Sequence, residues 1–131
     1  MDRDALTRWV DAYERAWRAP GVEALDALFT EDATYSTAPF QNPFAGLPAI
    51  REMWEAGREP GEEFAMSSEV VAVEGDVGVV RLRVHYTAPE DQVFWDLWIV
   101  RLASDGRCAA FEEWPFWPPG TRGGYDPGPA S

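Results

Sequence analysis

Val77-Gly-Val-Val-Arg-Leu-Arg-Val-His-Tyr-Thr87 and Gln92-Val-Phe-Trp-Asp-Leu-Trp-Ile-Val-Arg-Leu102 are the stretches whose reading decides the fold. Both are dense in β-branched, leucine and aromatic residues. The polar break Ala88-Pro89-Glu90-Asp91 between them marks an antiparallel hairpin. Side chains alternate along a strand, so Arg81, Arg83, His85 and Thr87 share one face, and Leu82, Val84 and Tyr86 the other. In the second strand Phe94, Asp96, Trp98 and Val100 oppose Trp95, Leu97, Ile99 and Arg101. Unpaired charge is expensive to bury, so the ionisable face needs a partner, a ligand or water, and it is expected to floor a cavity. The other face, Leu82, Val84, Tyr86, Leu97 and Ile99, is then an apolar patch that a second copy of the chain would cover, as a homodimer through the sheet.

Working outward, Leu6, Trp9, Val10, Tyr13 and Trp17 recur at helical spacing behind Asp2 and Asp4, either of which can cap the helix. Pro20-Gly21 ends it. Val22, Leu25, Leu28 and Phe29 predict a short second helix, and Ala33–Thr37 a short strand. Positions 38–48 hold three prolines and a glycine and read as a loop, with Phe40 and Phe44 as lid candidates. Pro48 opens a third helix with Ile50, Met53, Trp54 and Gly57 on its inner face. After a polar turn at 59–63, strands are predicted over 64–74 and 107–116, flanking the central pair. Three helices with one strand among them, then four strands at turn-limited spacing, specify an α+β fold with helices on one face of a curved, mostly antiparallel sheet. Residues 1–117 form the domain, and the Pro/Gly-rich residues 118–131 are expected to be an unstructured tail.

Composition narrows the function. With 131 residues, 46% of them hydrophobic, the chain can build one sizeable core. A net charge of −12 disfavours nucleic acid and anionic membranes as partners. The single Cys108 excludes an internal disulfide and reads as a small buried apolar residue. Met1-Asp2-Arg3-Asp4 lacks the apolar run of a secretion signal, and no apolar segment is long enough to cross a bilayer. A cytoplasmic protein is therefore expected. No Gly-rich phosphate loop, Gly-x-Ser-x-Gly or His-Glu-x-x-His occurs, and neither cofactor nor metal is expected.

Several stretches resemble the nuclear-transport-factor-2-like superfamily, its SnoaL-like branch in particular. They are Ala16-Trp17-Arg18-Ala19-Pro20-Gly21, Leu28-Phe29-Thr30-Glu31-Asp32-Ala33-Thr34-Tyr35, Gly46-Leu47-Pro48-Ala49-Ile50, Asp105-Gly106-Arg107 and Phe111-Glu112-Glu113-Trp114. The resemblance implies a cone-shaped roll with a ligand pocket at its wide end, usually within a homodimer. Placed on the ketosteroid isomerases of that superfamily, Tyr13 takes the position of the oxyanion donor. Thr37 takes that of the general base, a role threonine does not fill. The second oxyanion donor falls near Trp98, one step along the same face from Asp96. The cyclase-like members put a carboxylate at Glu113, and the same registration turns His85 inward.

The candidate catalytic residues are therefore Glu113, Asp96, His85 and Tyr13. Glu113, on the same side as Phe111, is either a base or the partner of an arginine. Asp96 among aromatic residues is either a desolvated acid or a cross-strand partner of Arg83 or Arg81. His85 is a proton shuttle or a satisfied histidine on a half-buried strand. Tyr13 donates to a substrate carbonyl or only to a neighbour. Trp17, Tyr35, Phe40, Trp54 and Trp98, with Arg83, are the substrate-binding candidates. The chemistry expected is that of a cofactor-free isomerase, cyclase or hydrolase acting on a small apolar carbonyl or ring compound. The alternatives are a non-catalytic module for a hydrophobic ligand and a dimeric scaffold.

Overall fold

Asp2 caps the first helix, its carboxylate accepting the Ala5 N–H at 2.8 Å in a computed structural model that describes residues 1–119. The elements run α1 (Arg3–Arg18), α2 (Leu25–Leu28), β1 (Phe29–Ser36), β2 (Phe44–Ala45), α3 (Leu47–Gly57), β3 (Glu63–Glu74), β4 (Val77–Ala88), β5 (Gln92–Leu102) and β6 (Cys108–Phe116). The strands form one sheet in the order β2-β1-β6-β5-β4-β3. All neighbours are antiparallel except β1 and β6, which run parallel. The helices cover one face of this curved sheet, the α+β roll expected. The tail expected from residue 118 lies, from residue 120 on, outside the described residues.

Local chemistry sets the boundaries. Gly46, at φ +88°, lets the chain turn into α3, and Pro48 occupies its first turn. The predicted second helix shortens, because the wholly buried Phe29 already belongs to β1. The two-residue β2, paired through Thr34↔Ala45 and Tyr35↔Phe44, lies within the segment read as loop. Gly78 is where α1 meets the sheet, since a Cβ there would collide with the Leu6 side chain. Around that crossing an aromatic core closes over the inner face: Trp9 lies edge-on to Phe29 and Trp98, and its indole N–H donates to the Leu28 carbonyl at 3.0 Å.

One expectation is reversed. In β4 the buried residues are Gly78, Val80, Leu82 and Val84, with Tyr86 following on the same side. Arg81, Arg83 and His85 point to the outer face instead. The register explains it: Leu82 opposes Asp96 and Val84 opposes Phe94 on the inside, whereas Arg83 opposes Trp95 and His85 opposes Val93 on the outside. Two arginines and a histidine on one strand would be costly under the helices, and three aliphatic residues are not. Arg81 pairs with Glu69 across β3 at 3.1 Å. The outer apolar patch expected from Leu82, Val84 and Tyr86 is therefore absent. On that face Leu97 and Ile99 stand with the half-exposed Trp95 among arginines.

Candidate active site

β5 and β6 bring two acids to the inner face. Trp98 opposes Glu113 and Asp96 opposes Pro115, so Asp96 and Glu113 are diagonal neighbours. Asp96 is 4% exposed, the only charged residue in the core of the described chain. Its Oδ2 accepts the Trp98 indole N–H at 3.0 Å, while Oδ1 has no hydrogen-bond partner. Burial pushes the Asp96 carboxyl up to about 8, helped by the charge of Glu113 and opposed by the Trp98, Leu97 and Trp114 N–H groups. Burial likewise pushes Glu113 up, to about 6, against the stabilising hydrogen bond from Tyr35. The two values belong to the pair. Burial therefore holds both carboxyls above their ordinary range, Asp96 the more strongly.

A hydroxyl chain leads into Glu113. The Tyr35 hydroxyl donates to Glu113 Oε2 at 3.1 Å, and the Tyr13 hydroxyl lies 2.7 Å from that of Tyr35. Tyr35 spends its one proton on Glu113, so it accepts the proton of Tyr13. Both phenols are raised well above their ordinary range by burial, and next by the Glu113 charge, so they remain donors at physiological pH.

Tyr13, Tyr35 and Glu113 form the floor of a cavity of about 180 Å³, walled by Trp17, Met53, Trp54, Gly57, Arg58, Glu62 and Tyr86. A broader, polar depression of about 700 Å³ shares Gly57, Glu62 and Tyr86 with it and forms the outer mouth. Glu113 lines the smaller space and not the larger one. At the junction Glu62 accepts the Trp17 indole N–H at 3.2 Å, and burial raises its carboxyl.

Of the candidates, Glu113, Tyr13, Tyr35, Trp17 and Trp54 meet around this cavity. Asp96 lies beneath it, and Trp98, 1% exposed, is packed in the core rather than lining it. Three are elsewhere. His85 stands on the outer face with Nε2 3.2 Å from each carboxylate oxygen of Asp91, in an exposed pair. Arg83 is exposed on that same face, so it neither pairs with Asp96 nor reaches a ligand in the cavity. Phe40 is fully exposed on its loop and covers nothing. Arg58 and Glu62 escape a reading of the sequence because they lie in a polar turn whose only local signal is Pro60-Gly61, and Tyr86 because its strand faces the other way from the expectation. Among the described residues no group of three His, Cys, Asp or Glu side chains is placed to hold a metal ion.

Comparison with known proteins agrees with this architecture. The SnoaL-like domain family matches residues 8–111. A candidate isomerase of the SnoaL-like family from Agrobacterium tumefaciens superposes with a TM-score of 0.69 at 20% identity, over 86% of this chain and 97% of that one. A candidate ketosteroid isomerase from Kribbella flavida gives 0.66 at 16% identity, over 98% and 82%. An LEH-like epoxide hydrolase from M. tuberculosis gives 0.63 at 15% identity, over 86% and 83%. No curated protein is detectably similar in sequence. At such identities the superpositions establish the fold, a cone-shaped roll of the nuclear-transport-factor-2-like type. The family match extends over most of the chain: this protein belongs to the SnoaL-like family.

Proposed function

We propose that the protein is a cofactor-free general acid–base catalyst for a small carbonyl or ring compound. The observation that carries this reading is the pair Asp96–Glu113, holding one proton at neutral pH under an aromatic cavity. Two carboxyls pushed apart in this way leave one ionised at neutral pH while the other stays protonated. Glu113 lines the cavity and is ionised above about pH 6, so it is the base that takes a proton from substrate carbon or from water. Tyr35 donates to that carboxylate and Tyr13 donates to Tyr35, so the two hydroxyls hold the base in place. Asp96 does not touch the cavity. It retains its own proton, so Glu113 is the ionised member of the pair.

The test is incubation of the full chain in D₂O with small cyclic ketones and, separately, with small epoxides, followed by NMR. Deuterium incorporation or ring opening that disappears in Glu113→Gln is expected. Turnover equal in wild type and Glu113→Gln would overturn the assignment. One observation favours a second reading, a binding module without chemistry: both tyrosine protons are already engaged within the chain. Saturable binding with no chemical change in the same incubations would establish it. The proposal includes a homodimer through the outer sheet face, where Trp95 and Phe116 oppose each other at 50% and 61% exposure. A monomer on size-exclusion chromatography would remove that part.

A further inference from the structure

We propose that Arg58 selects the substrate of this site, its guanidinium receiving the oxygen of a neutral ketone whose reacting carbon faces Glu113. This rests on the acid–base reading above and adds the substrate class. Arg58 follows α3 and is the single cation in the cavity wall. Its Nη1 donates to the Ala19 carbonyl at 2.6 Å, and its Nη2 to Gly21 at 2.6 Å and Ala16 at 3.3 Å. Those bonds cap the end of α1 and hold the guanidinium plane still. They leave Nε buried without any acceptor. A guanidinium has five N–H donors and a permanent charge, so a covered, unmet N–H is a cost that capping α1 does not explain. No carboxylate lies within ion-pair distance of Arg58 among the described residues, although Glu62 shares the cavity wall.

The remaining charges choose the ligand. A carboxylate ligand would face Glu62 and the ionised Glu113, and an ammonium ligand, though drawn to those acids, would face the Arg58 charge and leave Nε without an acceptor. A neutral acceptor oxygen satisfies the orphan without adding charge. The cavity volume of about 180 Å³ limits the rest of the molecule to roughly one ring. Nε is covered, so binding of the oxygen requires a side chain of the cavity wall to move.

Cyclohexanone, cyclohexanecarboxylate and cyclohexylammonium, matched in ring size, test this on the full chain by calorimetry. Cyclohexanone should bind more tightly than either ion, and Arg58→Met should weaken it about tenfold or more. Because that variant also loses the α1 cap, the wild-type Arg58 Nε–H resonance provides a check independent of folding, and it should shift on saturation with cyclohexanone. Glu113→Gln should leave cyclohexanone affinity within about threefold while abolishing exchange, which separates failure of recognition from failure of the acid–base reading. An unmoved Nε–H resonance, tighter binding of either ion, or no binding of cyclohexanone would overturn the assignment.

Discussion

β4 and β5 lie side by side, are nearly equal in length, and each carries ionisable residues among large apolar ones, yet they dispose of charge in opposite ways. β4 sends Arg81, Arg83 and His85 to the outer face, where His85 meets Asp91 in water. β5 keeps Asp96 inside, where the Trp98 indole N–H replaces water and burial pushes the carboxyl up to about 8. An exposed ion pair contributes little, because solvent screens it. A buried carboxyl pair cannot ionise twice at low cost, so one member keeps its proton to higher pH than a solvated acid would. One pair is an imidazole against a carboxylate and the other is two acids, so burial and like charge together make the difference.

The comparison breaks most sharply if the two pairs are removed in turn. Glu113→Gln should lower turnover of any accepted ketone or epoxide by about 10²–10⁴-fold, whereas His85→Ala should leave kcat/KM unchanged. Asp96→Asn sharpens it through stability. The Asp96 carboxyl is raised from its ordinary value near 3.8 to about 8, so between those pH values the folded state binds the proton that the unfolded state releases. Stability therefore falls as pH rises through that window, with a slope of at most about 1.4 kcal/mol per pH unit. Asp96→Asn should flatten that slope and be most stabilising, relative to wild type, near pH 8.5, as read from urea unfolding at pH 5 and pH 8.5.

Alternation showed which residues of each strand travel together, and in β6 the pairing of Glu113 with Phe111 pointed inward. What alternation does not contain is the side on which the helices lie. In β5 both faces are apolar, Phe94, Trp98 and Val100 against Trp95, Leu97 and Ile99, so its pattern alone leaves the choice open. β4 is decided by a rule that was available, aliphatic residues under the helices and arginines outside, and reading its charges as a cavity floor reversed it. The Tyr13–Tyr35–Glu113 chain joins positions 78 residues apart at its second bond, and Arg58 reaches Ala19 across 39. Contacts that distant leave no periodic trace. The helices, the sheet and the aromatic interior were legible because each is a local pattern repeated over several turns or residue pairs.

Smaller effects follow from the hydroxyl chain. Tyr35→Phe removes a donor to ionised Glu113, so the acid limb of the pH–rate profile should move to higher pH, with a rate loss of about tenfold at pH 7. An unmoved limb would mean that Tyr35 only packs. At the other extreme, His85→Ala should change unfolding free energy by no more than about 0.5 kcal/mol, as expected for an exposed pair.

The central claim is that Asp96 and Glu113 share one proton at neutral pH, and carboxyl ¹³C NMR of the labelled full chain, titrated from pH 3 to pH 10, reads it directly. The account predicts two steps, near 6 and near 8, assigned to this pair, with the upper step moving down in Glu113→Gln because the neighbouring charge is gone. Both carboxyls titrating together at about 4, as ordinary solvated acids do, would contradict it.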